Sequence, residues 1–205
     1  MKDHISVLRV IRIAALFLIG IFLFALFMSY VMDKQPTKNS SVVQGAQIGG
    51  EFELTRQDGV VITDKDIKDT AYLMFFGFTY CPDICPTELA TMTRFLSMLS
   101  KEKQDALRVF FVSVDPERDT VDQMKDYMSL FHDKIEGLTG TSEQIEQIKK
   151  AYKVYSAKVE TESLSDYTVD HSAYIYFFDQ EGQLRHIFKT NTPEENMKQI
   201  IEPYL

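Results

Sequence analysis

The stretches AYLMFFGF at residues 71–78 and LRVFFVSV at residues 107–114 are nearly unbroken apolar runs of strand length. Strands with such a continuous pattern are buried on both faces, as in a parallel sheet that helices cover. Between them, residues 86–100 carry leucine and methionine at helical spacing and supply a crossover helix. The three segments therefore predict a right-handed βαβ unit at the centre of the fold.

Capping boxes and turn signals predict the elements that surround this unit. The boxes pair Thr120 with Gln123, Thr141 with Gln144 and Thr192 with Glu195. They predict three further helix starts. Two hairpins are predicted, one joining residues 51–55 to 60–62 and one joining residues 173–178 to 183–189. Residues 156–169 are polar and acidic, which is typical of a surface loop. This order of elements predicts an α/β, thioredoxin-like fold with a central mixed sheet.

The amino-terminal segment has the features of a membrane anchor. Residues 13–32 carry no charge, and at about 1.5 Å rise per residue they are just long enough to cross about 30 Å of hydrocarbon. A cleavable signal peptide would also begin with basic residues, here Lys2, Arg9 and Arg12. Signal peptides, however, have a shorter apolar region followed by a cleavage pattern of small residues, and this chain has neither feature. We therefore expect one transmembrane helix at 13–32, after a short cytoplasmic stretch at 1–12.

The same reasoning places the rest of the chain. Basic residues before the apolar run keep the amino terminus in the cytoplasm, so the chain beyond it lies on the other side of a bacterial inner membrane, in the periplasm. Residues 33–45 read as a polar linker, and residues 46–205 as the folded domain. Beyond residue 32 there are 19 Lys and Arg against 29 Asp and Glu. Such an acidic surface repels phosphate backbones, so nucleic acid is not an expected partner.

The chain has only two cysteines, in CPDICP at residues 81–86. They follow the first buried strand and precede the crossover helix, and with Pro86 as the first helical residue Cys85 would occupy or adjoin the N-cap. Unpaired N–H groups and the helix dipole stabilise a thiolate there. The spacing suits a disulfide as well as one shared soft metal ion. The alternative without a function is that both cysteines are inert residues of the core. Their location at an exposed helix start disfavours this alternative.

His171 is the candidate for a third ligand. It lies in YTVDHS at residues 167–172, at the entrance of the strand predicted from residue 173. In a thioredoxin-like fold that entrance lies beside the start of the first helix, although a histidine there can also simply hydrogen-bond a neighbouring loop. Two thiolates and one imidazole form a soft site that suits Cu(I), whereas Zn(II) usually takes four ligands. An open position lets an incoming ligand begin exchange.

Four motifs span nearly the whole predicted domain. They are IGGEFEL at 48–54, GFTYCPDICP at 77–86, VSVDPERDT at 112–120, and YTVDHS at 167–172 followed by AYIY. Together they resemble the SCO/SenC family of copper proteins in cytochrome c oxidase assembly. The resemblance implies an anchored thioredoxin-like domain with copper held by Cys81, Cys85 and His171, and a supporting or partner-docking role for Asp170. One departure, Val121 where the family often has proline, puts no ligand in doubt.

The resemblance implies two functions. The first is a copper metallochaperone, not an enzyme, which receives Cu(I) from an upstream donor and passes it to the binuclear copper centre of an oxidase subunit. The alternative is a thiol-disulfide oxidoreductase that uses Cys81 and Cys85 to keep partner cysteines reduced. Against that as the sole role, the spacing is one residue longer than Cys-x-x-Cys, and no proline lies between Pro116 and Pro193 to supply the cis-proline of such enzymes. The two roles are compatible, since Cu(I) binding requires reduced thiols.

Overall fold

The structure, a computed structural model, describes residues 12–13, 15–24, 27–28, 48–160 and 167–205. The chain divides into two units, Met1–Ser40 and Ser41–Leu205. The linker predicted at 33–45 lies outside the described residues, as does most of the predicted cytoplasmic stretch. All the elements named below belong to the second unit.

The transmembrane helix predicted at 13–32 is wrong. Among the residues that the structure describes, no helix combines the length and the apolar character needed to cross a membrane. That prediction depended only on the uncharged stretch of 20 residues and its basic flank.

Nine strands form two sheets in the described part of the domain. They are β1 (Glu53–Arg56), β2 (Val61–Thr63), β3 (Ala71–Gly77), β4 (Leu107–Ser113), β5 (Ile135–Thr139), β6 (Ser156–Val159), β7 (Thr168–His171), β8 (Ile175–Phe178) and β9 (Leu184–Phe188). Seven of them make a sheet in the order β2-β1-β5-β4-β3-β8-β9, and β6 pairs with β7 in a separate ladder. β3, β4 and β5 run parallel while the outer strands are antiparallel. The mixed α/β sheet predicted from the sequence is confirmed.

Helices cover both faces of the large sheet. They are α1 (Ile84–Ser97), α2 (Lys101–Asp105), α3 (Val121–Met128), α4 (Ser142–Tyr152) and α5 (Glu194–Ile201), with short 3-10 turns at Asp64–Ile67 and Glu202–Tyr204. The core on one face packs Phe75 and Phe111 against α1, α3 and α5. On the other face, Phe76 and Phe110 pack with residues of α4. Because alternate residues of β3 and β4 enter opposite cores, both strands are buried on both faces except at Arg108, near the start of β4.

The predicted βαβ unit is confirmed. β3 and β4 are parallel neighbours in register from Ala71 opposite Leu107 to Gly77 opposite Ser113. The Thr120 and Thr141 hydroxyls accept from backbone N–H groups at the starts of α3 and α4, as their capping boxes predict. The third box is wrong, because Pro193 is the N-cap of α5. The Thr192 hydroxyl instead donates to a carbonyl oxygen of the preceding turn.

The strand β5 and the pairing of β6 with β7 were not predicted, nor was the short helix α2. β5 completes the parallel part of the sheet between α3 and α4. The segment interpreted as a loop at 156–169 contains β6 and the start of β7, which form an antiparallel ladder with Ser156 opposite His171; residues 161–166 lie outside the described residues. The strand that carries His171 is therefore paired with β6 and not with the large sheet.

Candidate metal centre

The two cysteines lie at the carboxyl end of β3, where the chain turns into α1. Cys81 is half-buried in the connecting loop, and Cys85 is fully buried as the second residue of the helix. Asp83 is the N-cap, but its side chain makes no capping hydrogen bond. Instead the backbone N–H of Cys85 points at the Cys81 sulfur, at 3.5 Å. A sulfur atom thus accepts from a first-turn N–H group that has no partner within the helix.

This helix starts earlier than the proline predicts. Pro86 is the third helical residue instead of the first. A proline is tolerated there, because N–H groups of the first turn have no intrahelical acceptor and nothing is lost with the missing donor. Cys85 consequently lies inside the first turn and faces the core.

Gly77 makes room for Cys85 at the end of β3. A β-carbon built on Gly77 would lie 2.5 Å from the Cys85 sulfur and 2.7 Å from Cε2 of Phe111. Both distances are far below van der Waals contact, so only glycine lets the helix start approach the strand this closely. The position of the buried sulfur therefore depends on a residue with no side chain.

The two thiols differ in their affinity for a proton. The hydrogen bond from the Cys85 thiol, with smaller contributions from His171 and from backbone N–H groups, holds the pKa of Cys81 far below its usual value despite partial burial. The same hydrogen bond, together with burial, raises the pKa of Cys85. At neutral pH Cys81 is the thiolate and Cys85 keeps its proton. Both cysteines are free in the structure.

His171 brings a nitrogen ligand to this pair from the end of β7. Its Nε2 lies 3.6 Å from the Cys85 sulfur, and its Nδ1 lies 3.3 Å from the carbonyl oxygen of Ser172. When Nδ1 donates to that oxygen, Nε2 presents its lone pair to the sulfurs, which is the tautomer a metal requires. The ring stands nearly perpendicular to that of Phe78, with 5.7 Å between centroids.

The ligand atoms of Cys81, Cys85 and His171 all lie within 4.8 Å of one another. In a trigonal site, metal–sulfur bonds of about 2.3 Å and metal–nitrogen bonds of about 2.0 Å put the two sulfurs about 4.0 Å apart and each sulfur about 3.7 Å from the nitrogen. Movements of about 1 Å or less therefore suffice to close this set around one ion. Two sulfurs and one imidazole form a soft donor set, which fits copper in its Cu(I) state.

Three other titratable residues, Asp170, Asp115 and His186, lie outside this group of ligand atoms. Asp170 is exposed on β7, next to His171. Asp115 is buried beyond the end of β4 and pairs with Arg118. His186 lies on β9, where the centroid of its ring is 4.4 Å from that of the Phe188 ring on the same strand.

Asp119 accepts hydrogen bonds from Thr79, two residues before Cys81, and so helps to fix the start of the cysteine loop. The sequence analysis did not predict this role. Its carboxylate accepts from the Thr79 hydroxyl at 2.7 Å and from the Thr79 N–H at 3.2 Å, and from the Ser113 hydroxyl at 2.6 Å. Burial raises the pKa of this carboxyl, and the three donors oppose that shift. Asp119 belongs to the VSVDPERDT motif, which was the signal that could have identified it.

Comparisons with known proteins agree with this geometry. The profile of the SCO1/SenC family matches residues 40–205. A SCO2-like protein of Rickettsia conorii is 37% identical over 202 residues, which cover 97% of this chain and 98% of that protein. The structure of Bradyrhizobium japonicum ScoI with copper bound has 42% sequence identity and a TM-score of 0.72, and covers 77% of this chain and 99% of that chain.

A third similar structure concerns a disulfide switch in BsSco, a member of the Sco family of cytochrome c oxidase assembly proteins. It has 27% identity and a TM-score of 0.61, and covers 77% of this chain and 93% of that chain. Relatives of this chain have thus been solved with copper bound, and Cys81, Cys85 and His171 form a candidate site for that metal. The resemblance found in the sequence is confirmed, since a family profile that covers most of the chain agrees with relatives above 30% identity: the chain belongs to the SCO1/SenC family.

Proposed function

We propose that this protein is a copper carrier that binds Cu(I) through Cys81, Cys85 and His171 and delivers it to the copper-centre subunit of cytochrome c oxidase. The observation that carries the proposal is the convergence of three soft ligand atoms within 4.8 Å. The copper-bound structure of the Bradyrhizobium japonicum relative supports the choice of metal. Copper is the cargo of this protein, and an upstream donor supplies it.

The exposure of the ligands suits transfer. Cys85 is buried whereas Cys81 and His171 are each half-buried, so a partner's ligand reaches the ion from the side of the latter two. A three-coordinate ion accepts such a ligand before it gives up one of its own, and this lowers the barrier to exchange. Asp170 is exposed beside His171 and has the role of a docking contact for the partner.

The place of action is part of the same proposal. The folded domain spans residues 46–205, residues 33–45 link it to the amino-terminal segment, and the domain works in the periplasm. The family resemblance to oxidase assembly proteins supports this location. Protease treatment of intact spheroplasts should digest the domain, with a cytoplasmic protein as the protected control. A domain that stays protected until the cells are lysed would place it in the cytoplasm.

The test of the carrier function is copper stoichiometry. The reduced full-length protein is loaded with Cu(I), challenged with a Cu(I) chelator and assayed for copper by elemental analysis, beside His171→Ala and His186→Ala. His186 is a matched control, because it is a half-buried histidine outside the ligand group. We expect one copper per chain in the unaltered protein and in His186→Ala, and loss in His171→Ala. No retained copper in the unaltered protein would overturn the proposal.

The second candidate function is disulfide reduction, favoured by the unequal thiols. The half-buried Cys81 thiolate attacks a partner disulfide and releases one partner thiolate. Cys85 then passes its proton to that thiolate and attacks the Cys81 sulfur, which frees the second partner sulfur as a thiolate that takes a proton from water. Two electrons pass from Cys81 and Cys85 to the partner, and the pair ends as a disulfide.

The two functions separate in one variant. His171→Ala removes a copper ligand and leaves both cysteines in place. If the protein acts mainly as a reductase, this variant should still reduce a disulfide-bonded copper-centre subunit at a rate close to that of the unaltered protein. If it acts as a carrier, the variant should fail to load the subunit with copper even when the subunit is supplied in reduced form.

A further inference from the structure

Arg118 contacts both chain segments that carry the ligands. Its Nη1 donates to the carbonyl oxygen of Tyr167 at 2.8 Å, and its guanidinium lies over the Tyr167 ring, 3.8 Å from the centroid. The same guanidinium lies 5.0 Å from the centroid of the Tyr80 ring. Tyr167 directly precedes β7, which ends at His171, and Tyr80 directly precedes Cys81. One side chain therefore joins the approach to the nitrogen ligand and the approach to a sulfur ligand.

Arg118 is also held by a buried carboxylate. Arg118 Nε donates to Asp115 at 2.5 Å, and the Asp115 side chain is fully buried. The Tyr167 hydroxyl donates to the other oxygen of the same carboxylate at 2.7 Å. Asp115 itself is held at the end of β4, where its N–H donates to the Ser113 hydroxyl at 3.0 Å. The carboxylate, the guanidinium and the tyrosine form a closed set of contacts in which each member binds the other two.

The position of β7 makes these contacts consequential. β7 pairs with β6 and takes no place in the seven-stranded sheet, so the ladder that fixes Cys81 and Cys85 does not fix His171. An ion pair between Lys158 of β6 and Glu117 also connects the β6–β7 ladder to the loop after β4. The side chains of this pair are 49% and 61% exposed. An exposed pair of this kind contributes little, whereas the Arg118 side chain is only 13% exposed.

We propose that Arg118 is a positioning residue for the copper site. By holding Tyr167 against Asp115 it sets the direction in which β7 runs, and so places Nε2 of His171 opposite the two sulfurs. Its contact with Tyr80 fixes the loop of Cys81 relative to the same strand. This role rests on the proposed function, because it assumes that the three ligands hold one copper ion.

The test compares Arg118→Lys with Arg108→Lys. Lysine keeps the charge but has no planar fork, so it cannot reach Asp115 and the Tyr167 carbonyl together or stack on the ring in the same way. Arg108 is a matched control, because it also donates to a carboxylate: its Nε and Nη2 donate to the Glu136 carboxylate oxygens at 2.9 and 2.7 Å. It lies near the start of β4, away from the site. Tyr167→Phe, which loses only the hydroxyl, serves if Arg118→Lys does not fold.

Three properties of the full-length proteins are measured: the Cu(I) affinity by chelator competition, the copper–nitrogen component of the X-ray absorption spectrum, and the urea midpoint without copper. We expect Arg118→Lys to lose affinity by about tenfold, the lower end for residues that orient metal ligands, and to lose copper–nitrogen scattering. Tyr167→Phe should fall between it and the unaltered protein. Arg108→Lys should lower the urea midpoint while its affinity and spectrum stay unchanged.

Two results would overturn the inference. One is an Arg118→Lys protein with unaltered affinity and spectrum; the other is an equal loss of affinity in Arg108→Lys. In either case the unaltered protein still binds copper and the carrier function stands. If the unaltered protein binds no copper, the carrier function fails, and NMR of the copper-free chains decides the positioning role: loss of the contact between the His171 and Phe78 rings in Arg118→Lys supports it, and retention rejects it.

Discussion

The two halves of the candidate copper site are built in different ways. The cysteines are held where β3, buried along its whole length in the seven-stranded sheet, turns into α1. His171 ends a strand of four residues that pairs with β6. Close packing in a core leaves few alternative positions for a side chain, whereas a two-stranded ladder is marginal by itself and depends on its surroundings. The sulfur half is therefore preorganised, and the nitrogen half is set by a small number of contacts.

This difference suits the proposed carrier role, in which the metal must be released. In the proposed transfer, two thiolates retain Cu(I) in a low-coordinate state while the imidazole is exchanged for a partner's ligand. Because β7 lies outside the large sheet, movement of His171 breaks none of the hydrogen bonds of that sheet. Changes in the packing around the cysteines should consequently act through folding, and changes in the histidine half should act through copper affinity with the fold preserved.

Gly77→Ala should have the largest effect, and it should act on folding. The new methyl group meets the Cys85 sulfur and the Phe111 ring inside the core, and overpacking of this kind costs about 3 kcal/mol. Urea unfolding of the copper-free protein measures the loss. Gly50→Ala is the control, because its new carbon meets only the Ala151 side chain at 3.3 Å. Equal losses in the two variants would show that the cysteine half is not tightly packed.

His171→Ala should separate affinity from stability. The side chain is half-buried at the end of a short strand, so its truncation should leave the urea midpoint of the copper-free protein nearly unchanged. The Cu(I) affinity should fall by about 100-fold or more, since residues that merely orient a metal ligand already account for 10- to 100-fold. Chelator competition gives the affinity. A large loss of stability with unchanged affinity would reverse the roles assigned to the two halves.

The same difference explains what the sequence predicted correctly. The apolar runs at 71–78 and 107–114 predicted a pair of parallel strands joined by a helix, which the structure contains. The location of the cysteines, between the first strand and the helix, follows from this unit. The proximity of Cys81 and Cys85 to His171 required the family resemblance and the fold analogy. Periodicity alone does not show which loop returns to the start of α1.

What the sequence did not predict depends on tertiary contacts. β5 is short and contains Gly137, where an added β-carbon would lie 2.6 Å from side-chain atoms of Met124 and Met128 of α3. No local sequence rule supplies this reason for glycine. The sequence of β6 and β7 is polar, and their pairing with one another is visible only in the fold. The start of α1 was misplaced by two residues, because a cysteine sulfur acts as the acceptor at its start. The predicted membrane helix was wrong for the described residues.

Proton release should accompany copper binding in the cysteine half. The hydrogen bond between the thiols lowers the pKa of Cys81 and, with burial, raises that of Cys85, so the copper-free pair keeps one proton at neutral pH. Cu(I) takes both sulfurs as thiolates and expels this proton, which becomes easier as the pH rises. The affinity should therefore increase about tenfold per pH unit between about pH 7 and about pH 9.

Calorimetry in buffers of different ionisation enthalpy counts the proton, and chelator competition at each pH gives the slope. Cys85→Ser should lose the slope along with most of the affinity, because it removes the thiol that carries the proton. An affinity that does not change with pH in the unaltered protein would mean that both sulfurs are already thiolates, and that the asymmetry of the pair is absent in solution.

Ser172→Ala should have the smallest effect and separates two ways of holding His171. Its hydroxyl accepts from the Tyr155 N–H at 3.3 Å, while the Ser172 N–H donates to the Tyr155 carbonyl at 2.9 Å and survives the change. Loss of one long hydrogen bond costs about 0.5 kcal/mol, or roughly a twofold fall in Cu(I) affinity. Ser97→Ala, which removes a serine hydrogen bond within α1, should leave the affinity unchanged. A tenfold fall in Ser172→Ala would mean that the carboxyl end of β7, and not the Arg118 contacts at its start, sets the position of the imidazole.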